Sequence, residues 1–194
     1  IVAYSHLWFF EYFSTKIDVY YNLITDKIVA IPTKNLFVWS MRNIGCVDTR
    51  GIELQTNVQT KSILPHLKIY ASYTYSLQKA IDITSVYSPT YKHQIPYIPF
   101  ETASALFTLS YKNISLTYNA LFNGFRYILG ENIYENMLPS FWITDVAFLY
   151  NFSFKHKDFR IKFEINNLFN KEYQVIKSFP MPGRSYFLTF STKI

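Results

Sequence analysis

From Asp158 to Asn167 the chain alternates without a break. Phe159, Ile161, Phe163 and Ile165 fall on one face, and Arg160, Lys162, Glu164 and Asn166 on the other. A period of two marks an extended strand with one apolar and one polar face. Leu67, Ile69, Ala71, Tyr73 and Tyr75 repeat the pattern against Lys68, Tyr70, Ser72, Thr74 and Ser76. Ile114, Leu116, Tyr118, Ala120 and Phe122 face away from Ser115, Thr117, Asn119 and Asn123. Ile17, Val19, Tyr21 and Leu23 oppose Lys16, Asp18, Tyr20 and Asn22, and the run from Trp142 to Phe154 sets Val146, Phe148, Tyr150 and Phe152 against Asp145, Asn151 and Ser153. The pattern predicts about nine strands, near 1–13, 16–30, 47–60, 66–78, 98–111, 113–128, 139–154, 158–168 and 184–194. Many exceed the mean soluble strand of about five or six residues. They have the length of a tilted membrane-crossing strand, about 9–11 residues.

The predicted connections alternate too. Ser14-Thr15, Lys61 to Pro65, Lys112 and Lys155 to Lys157 read as tight joints, and 31–46, 79–97, 129–138 and 169–183 as long loops. Short turns at one rim and long loops at the other is the plan of an outer-membrane barrel. Tyr12, Phe13, Tyr111, Phe152 and Phe154 sit beside the short turns, where an interfacial aromatic girdle would lie.

Composition sharpens this picture. The 194 residues include 17 Tyr and 18 Phe, and aromatics reach 20 %. Charged residues are only 16 %, against about 25 % in ordinary soluble domains. The longest apolar run is five residues, Val146 to Tyr150, far short of the roughly 20 that a spanning helix needs. A β-barrel reconciles a membrane-like aromatic load with the lack of a helical span. The competing reading is a soluble β-sandwich, which also alternates but would expose its extra aromatics as sticky patches.

The 19 Lys and Arg leave a formal net charge of +6, yet they are scattered and form no basic arm. Nucleic acid is therefore not expected as a partner; an anionic ligand or membrane surface suits the balance better. The single Cys46 excludes an internal disulfide framework and a cysteine-based zinc cluster. The opening Ile1-Val2-Ala3-Tyr4-Ser5-His6 is not a signal peptide.

The last residues carry the most specific signal. Asn167-Leu168-Phe169-Asn170-Lys171-Glu172-Tyr173 is followed by Met181-Pro182-Gly183-Arg184 and a closing alternating strand. This resembles the C-terminal signature of TonB-dependent outer-membrane receptors, with Asn167, Leu168, Tyr173, Pro182, Gly183 and Arg184 as its marks. Asn43-Ile44-Gly45 with Thr49 to Leu54, and Tyr91 to Pro99, are similar to segments bordering that family's long loops. The resemblance implies an all-β fold: an antiparallel transmembrane β-barrel, here partial, supplying about nine of some 22 strands around a plugged lumen. Residues 1–194 would be the C-terminal part of the barrel domain, without the plug. It implies a bacterial outer-membrane location and import of a scarce nutrient with energy passed through TonB by way of the plug. Tyr186, Leu188, Phe190 and Ile194 would form the signal read by the barrel-assembly machinery, although the family usually ends in Phe. Outer-membrane lipid and lipopolysaccharide would be further partners. Tyr91 to Pro99, Tyr173-Gln174-Val175-Ile176-Lys177 and Pro180 to Arg184 resemble cobalamin-type receptors of gut anaerobes; a ferric siderophore is the equal alternative.

Catalytic chemistry finds no footing in the residues. His6, His66, His93 and His156 lack metal-ligand spacing. There is no nucleophile elbow and no phosphate-binding Gly-rich loop. Asp48 and Glu53 have no evident acid–base partner, and Cys46 no evident His. No catalytic residue, metal site or cofactor is expected, and an outer-membrane hydrolase stays a remote alternative. Ligand contacts are expected from the long-loop rim: Arg42, Tyr87, Tyr91, Arg126, Tyr127 and Tyr134. Arg pairs with carboxylate or phosphate, and Tyr offers a flat apolar face with a polar tip. The plainer reading makes these aromatics girdle or loop-packing residues.

Overall fold

The computed structural model describes residues 2–4, 10–32, 38–60 and 65–193. Thirteen strands are present among them: β1 (Val2–Tyr4), β2 (Phe10–Pro32), β3 (Trp39–Thr60), β4 (Leu67–Asp82), β5 (Glu101–Tyr111), β6 (Ile114–Asn123), β7 (Arg126–Tyr127), β8 (Met137–Leu138), β9 (Phe141–Phe154), β10 (Lys157–Asn166), β11 (Gln174–Ile176), β12 (Phe179–Pro180) and β13 (Ser185–Lys193). Nine of them form one sheet in the order β1-β2-β3-β4-β5-β6-β9-β10-β13. Every neighbouring pair is antiparallel, so the sheet is an up-and-down meander. The short pairs β7–β8 and β11–β12 lie in two of the long connections.

Register shows what the alternation is for. Residues paired across strands share a face. Glu53 is opposite Asp18 and Ser76, Ser72 is opposite Asn57 and Leu106, and Thr117 is opposite Thr108 and Ala147. Glu164 and Lys162 continue that face on β10. The hydroxyls bond one another there: Thr108 Oγ1 lies 3.2 Å from Thr117 Oγ1, and Ser110 Oγ 2.9 Å from Ser115 Oγ. Two ion pairs share it, Lys16–Asp18 and Lys162–Glu164, each 2.7 Å. The opposite face gathers Val19, Ile52 and Leu77, then Phe107, Tyr118, Phe148, Phe163 and Leu188. Nothing described covers it. Val19 and Leu188 are each 74 % exposed. A β-sandwich would bury this face under a second sheet; a barrel wall leaves it to lipid.

At the short-turn end the apolar face carries a ladder of rings. Phe152 stacks on Tyr150 and Phe159, and Phe159 on Phe190, with centroids 5.2 to 5.6 Å apart. The Lys112 and Lys155 ammonium groups lie over the rings of Tyr111 and Phe154, at 5.3 and 5.4 Å. Such pairs suit a lipid–water boundary, where ring and charge each find their medium. Tyr12 departs from the expected girdle: it pairs with Gln59 and so belongs to the polar face.

Several predicted boundaries move. Ser14-Thr15 is no turn, because both lie inside β2, where Thr15 Oγ1 meets Thr56 Oγ1 at 3.3 Å. A β-branched hydroxyl residue suits a strand as well as a bend. The β1–β2 connection instead falls at 5–9, outside the described residues. The predicted loop 31–46 is mostly strand, since pairing runs on from Thr25–Cys46 to Pro32–Trp39; residues 33–37 of its tip also lie outside the described residues. Gly45, inside that predicted loop, lies within β3 at a spot where a Cβ would meet the Thr84 methyl at 2.8 Å. β4 extends to Asp82, and the strand predicted over 113–128 stops at Asn123. There Gly124 approaches the Glu101 carbonyl so closely that a Cβ would sit 2.7 Å from it. The strand predicted over 1–13 is divided, Val2–Tyr4 forming β1 and 10–13 belonging to β2, because the pairing of β2 with β3 runs on to Phe10. The other strands keep their predicted places within a few residues. Ile194 lies outside the described residues.

Candidate functional site

The long connections fold together at one end of the sheet. A small apolar cluster of Val47, Ala80 and Ile95, flanked by Ile44 and Ile98, is the one cluster of buried apolar side chains among the described residues. It fastens the segment 83–100 to β3 and β4. Asp82 starts that segment as an Asx-type turn: Thr84 N donates to its Oδ1 (2.9 Å) and Thr90 Oγ1 to its Oδ2 (2.7 Å). Partial burial raises the affinity of this carboxyl for a proton. The bonds from Thr84 and Thr90 and the charge of His93 outweigh it and hold the group below its ordinary range. The chain then returns beside β4, with Asp82 N bonded to His93 O and Ile95 N to Ala80 O.

Two amides join this segment to the next. The Gln94 backbone is bracketed by the Asn132 side chain: Gln94 N donates to Asn132 Oδ1 (2.6 Å), and Asn132 Nδ2 donates to Gln94 O (3.0 Å). The Gln94 side chain is itself 1 % exposed; it accepts from Ala80 N at 2.9 Å and donates to Ile98 O at 3.3 Å. Buried amides are tolerated because each donor and acceptor finds a partner. His93 Nδ1 lies 3.2 Å from Gly130 O and 3.4 Å from Asn132 N, so its tautomer selects which of the two it holds. Tyr97 N bonds Tyr127 O, and the Tyr97 ring packs on Trp39 with centroids 5.5 Å apart. Tyr97 does this at φ 61°, a left-handed conformation costly for a bulky residue. Burial pushes its phenol up, with the Lys177 backbone amide and then the charge of Arg126 pulling the other way.

The connection 167–184 is organised by Asn167. Its φ is 51°, a conformation Asn tolerates better than most residues. Its side chain accepts from Lys171 N (2.8 Å) and donates to Lys171 O (2.9 Å), while its own N–H donates to Asp145 Oδ1 (2.9 Å). Asn170 Oδ1 accepts from Arg184 N, and a Cβ on Gly183 would crowd that same oxygen at 2.7 Å. Tyr173 packs on Phe141, with centroids 4.7 Å apart. The motif thus closes a tight loop whose carbonyls and amides are satisfied by two asparagines.

Two cavities open among these segments. One, of about 660 Å³, is lined by Arg42, Asp82, Thr90, His93 and Glu131 among others. The second, of about 670 Å³, lies between Phe141, Tyr173, Gln174, Lys177 and Met181. Of the expected contact residues, Arg42 lines the first cavity. Tyr87 and Tyr134 project from the loops, 94 % and 81 % exposed. Tyr91 is half-buried beneath the Lys92 ammonium, 5.4 Å from its ring. Tyr127 joins an edge-on aromatic group with Phe100 and Phe125. Arg126 is buried and tied to β11. The structure therefore does not gather the six at one point. Gln94 and Asn132, 38 residues apart, and Tyr97, packed on the distant Trp39, escaped sequence reasoning because no local pattern announces such pairs; Asp82 escaped it as an ordinary turn acid.

A family model described as TonB dependent receptor-like, beta-barrel matches residues 2–168. Solved structures share the fold. The chain aligns with the ferric preacinetobactin receptor BauA of Acinetobacter baumannii at TM-score 0.68 and 19 % identity, over 93 % of this chain and 27 % of that one. For the unliganded ferric citrate transporter FecA the values are 0.62, 16 %, 92 % and 28 %. For the ferripyoverdine receptor of the outer membrane of Pseudomonas aeruginosa they are 0.53, 15 %, 93 % and 24 %. The chain thus spans about a quarter of the length of these proteins. No curated protein sequence matches it.

Proposed function

The chain belongs to the TonB-dependent receptor β-barrel family, and from that premise we propose that it forms nine strands and the associated outer loops of an outer-membrane receptor for a scarce nutrient. The observation that carries this is the sheet's two-faced register, apolar and uncovered on one side and hydroxyl-lined on the other, capped at one end by folded loops around two cavities. The apolar face meets lipid, and the polar face lines the lumen. In this reading a plug domain occupies the lumen and carries the contact to TonB. Tyr186, Leu188 and Phe190 supply the outward, alternating pattern read during barrel assembly. Lipid and lipopolysaccharide surround the wall. Arg42, Tyr87, Tyr91, Tyr127 and Tyr134 are the nutrient's first contacts at the rim. A chelate bearing anionic oxygens, such as a ferric siderophore, suits Arg42 there better than cobalamin does.

The test uses the full-length receptor in detergent micelles, titrated separately with ferric citrate and with cyanocobalamin. Saturable binding of the ferric chelate, weakened by Arg42→Ala, is the expected result. Saturable cobalamin binding alone overturns the choice of nutrient. Recovery of the whole protein from cells without detergent overturns the barrel receptor itself.

A further inference from the structure

Arg126 is 2 % exposed, the largest of the fully buried side chains. Its Nη2 donates to two backbone carbonyls of β11, Gln174 O at 2.6 Å and Val175 O at 2.8 Å. Its guanidinium lies 5.4 Å from the centre of the Phe141 ring. Its Nη1 is buried with no hydrogen-bond partner, and the nearby Tyr97 hydroxyl, beside the Lys177 backbone amide, is buried without a well-aligned bond. The ion pairs among the described residues involve Lys16, Arg50 and Lys162, so none reaches Arg126.

A full positive charge is therefore held inside the cap by neutral groups alone, an expensive state for an ion. Bonds from a guanidinium to an anionic oxygen are roughly twice as strong as those to a neutral one, and the planar fork favours two at once. The cavity of about 670 Å³ stands one residue away: Gln174, whose carbonyl holds the guanidinium, and Phe141, whose ring lies against it, both line its wall. Lys171 and Lys177 face the same cavity, against the single acid Glu172. The bonds from Arg126 are also the hydrogen bonds that join β7 to β11.

We propose that Arg126 is an anion-responsive latch. A carboxylate or phosphate entering this cavity takes the guanidinium from the Gln174 and Val175 carbonyls, engages the free Nη1 and the Tyr97 hydroxyl, and releases the β11–β12 hairpin from β7. The proposal rests on the loop end being the ligand-binding end, and it names the chemistry that end answers to: an anionic oxygen group.

The test is amide hydrogen exchange on the full-length receptor in micelles, with succinate or inorganic phosphate as probe and chloride at equal ionic strength as control. Succinate or phosphate should speed exchange at residues 174–179 by about tenfold, as expected when a charge-assisted tie is exchanged for a ligand. Exchange at β5 and β6 should not move. Response to phosphate alone would assign the site to phosphate, and response to both to any anionic oxygen; either supports the latch. Arg126→Gln should show the faster exchange with chloride alone and no further response. An Arg126→Gln protein that still responds to succinate overturns the proposal, as does wild-type protein that answers neither probe. The wild-type arm stands even where the variant fails to fold. An anion response in a receptor that binds neither ferric citrate nor cobalamin would keep the latch and refute the nutrient reading.

Discussion

The wall and the cap of this molecule are built on different logics. In the wall, from β2 to β13, a residue's role follows largely from its parity: one face is mostly apolar and uncovered, the other mostly polar. Backbone groups there are satisfied by the ladder, so side chains are free to serve the solvent they meet. In the cap, the backbone leaves the ladder and its amides and carbonyls need individual partners. Asn132, Gln94, Asn167 and Arg126 provide them one by one. Redundancy is high in the first region and low in the second.

The largest expected effect tests the wall's parity. Phe148→Arg, on the lipid face, should cost about 2–4 kcal/mol beyond its lost packing, the price of a cation at the bilayer centre. Thr117→Arg, on the lumenal face of the neighbouring strand, should cost under about 1 kcal/mol. Urea midpoints of the unheated full-length band in vesicles would compare them, and equal costs would break the two-faced picture. In the cap, Asn167→Ala should cost about 2–4 kcal/mol locally, from two lost buried bonds and a left-handed backbone without its natural residue. Faster amide exchange confined to 167–184 would show it. Asn132→Ala should cost about 1–3 kcal/mol and loosen 92–96 while β5 and β6 keep their protection.

Smaller effects refine the boundary between the regions. The β9–β10 turn holds Lys155 and His156 at φ 49° and 63°, the arrangement of a two-residue hairpin that Asn-Gly fits best. Replacing them with Asn-Gly should stabilise the wall by about 1 kcal/mol, by relieving the strain of ordinary residues at positive φ, read as a higher midpoint. The Asp82 carboxyl sits below its ordinary value of 3.8. Its contribution is therefore present above that value and lost as pH falls through the lower folded one. Exchange across 83–92 should quicken on acidification into that range in the wild type, and Asp82→Asn should remove the pH dependence.

This contrast also explains what could be read in the residues alone. The strands of the wall, their faces and the two-ended plan were legible because period two and strand length report directly on a sheet wetted differently on its two sides. Ser14-Thr15 misled because small hydroxyl residues serve a turn and a strand equally well, and only the partner strand decides; Thr15 sits on the apolar face with Thr56 as its hydroxyl partner. The closing motif was legible as a motif, and its asparagines turned out to hold backbone in left-handed conformations. The Gln94–Asn132 bracket and the Arg126 tie were hidden. They pair residues distant in sequence through loop geometry that no periodicity encodes.

One feature of the wall reaches further. The polar face of β4 to β6 presents Ser72, Thr74, Ser76, Ser104, Thr108, Ser110, Ser115 and Thr117, and its charged residues on those strands are confined to Lys68 and Asp82 at the two ends of β4. A hydroxyl donates or accepts according to how it rotates. Such a surface is a bank of rotors, able to reverse its polarity point by point against whatever slides across it. Fixed charges would have to be matched or left unpaired at each position; rotors need only turn. Such a face imposes no fixed pattern of charge on what lies against it, as a bearing surface imposes none.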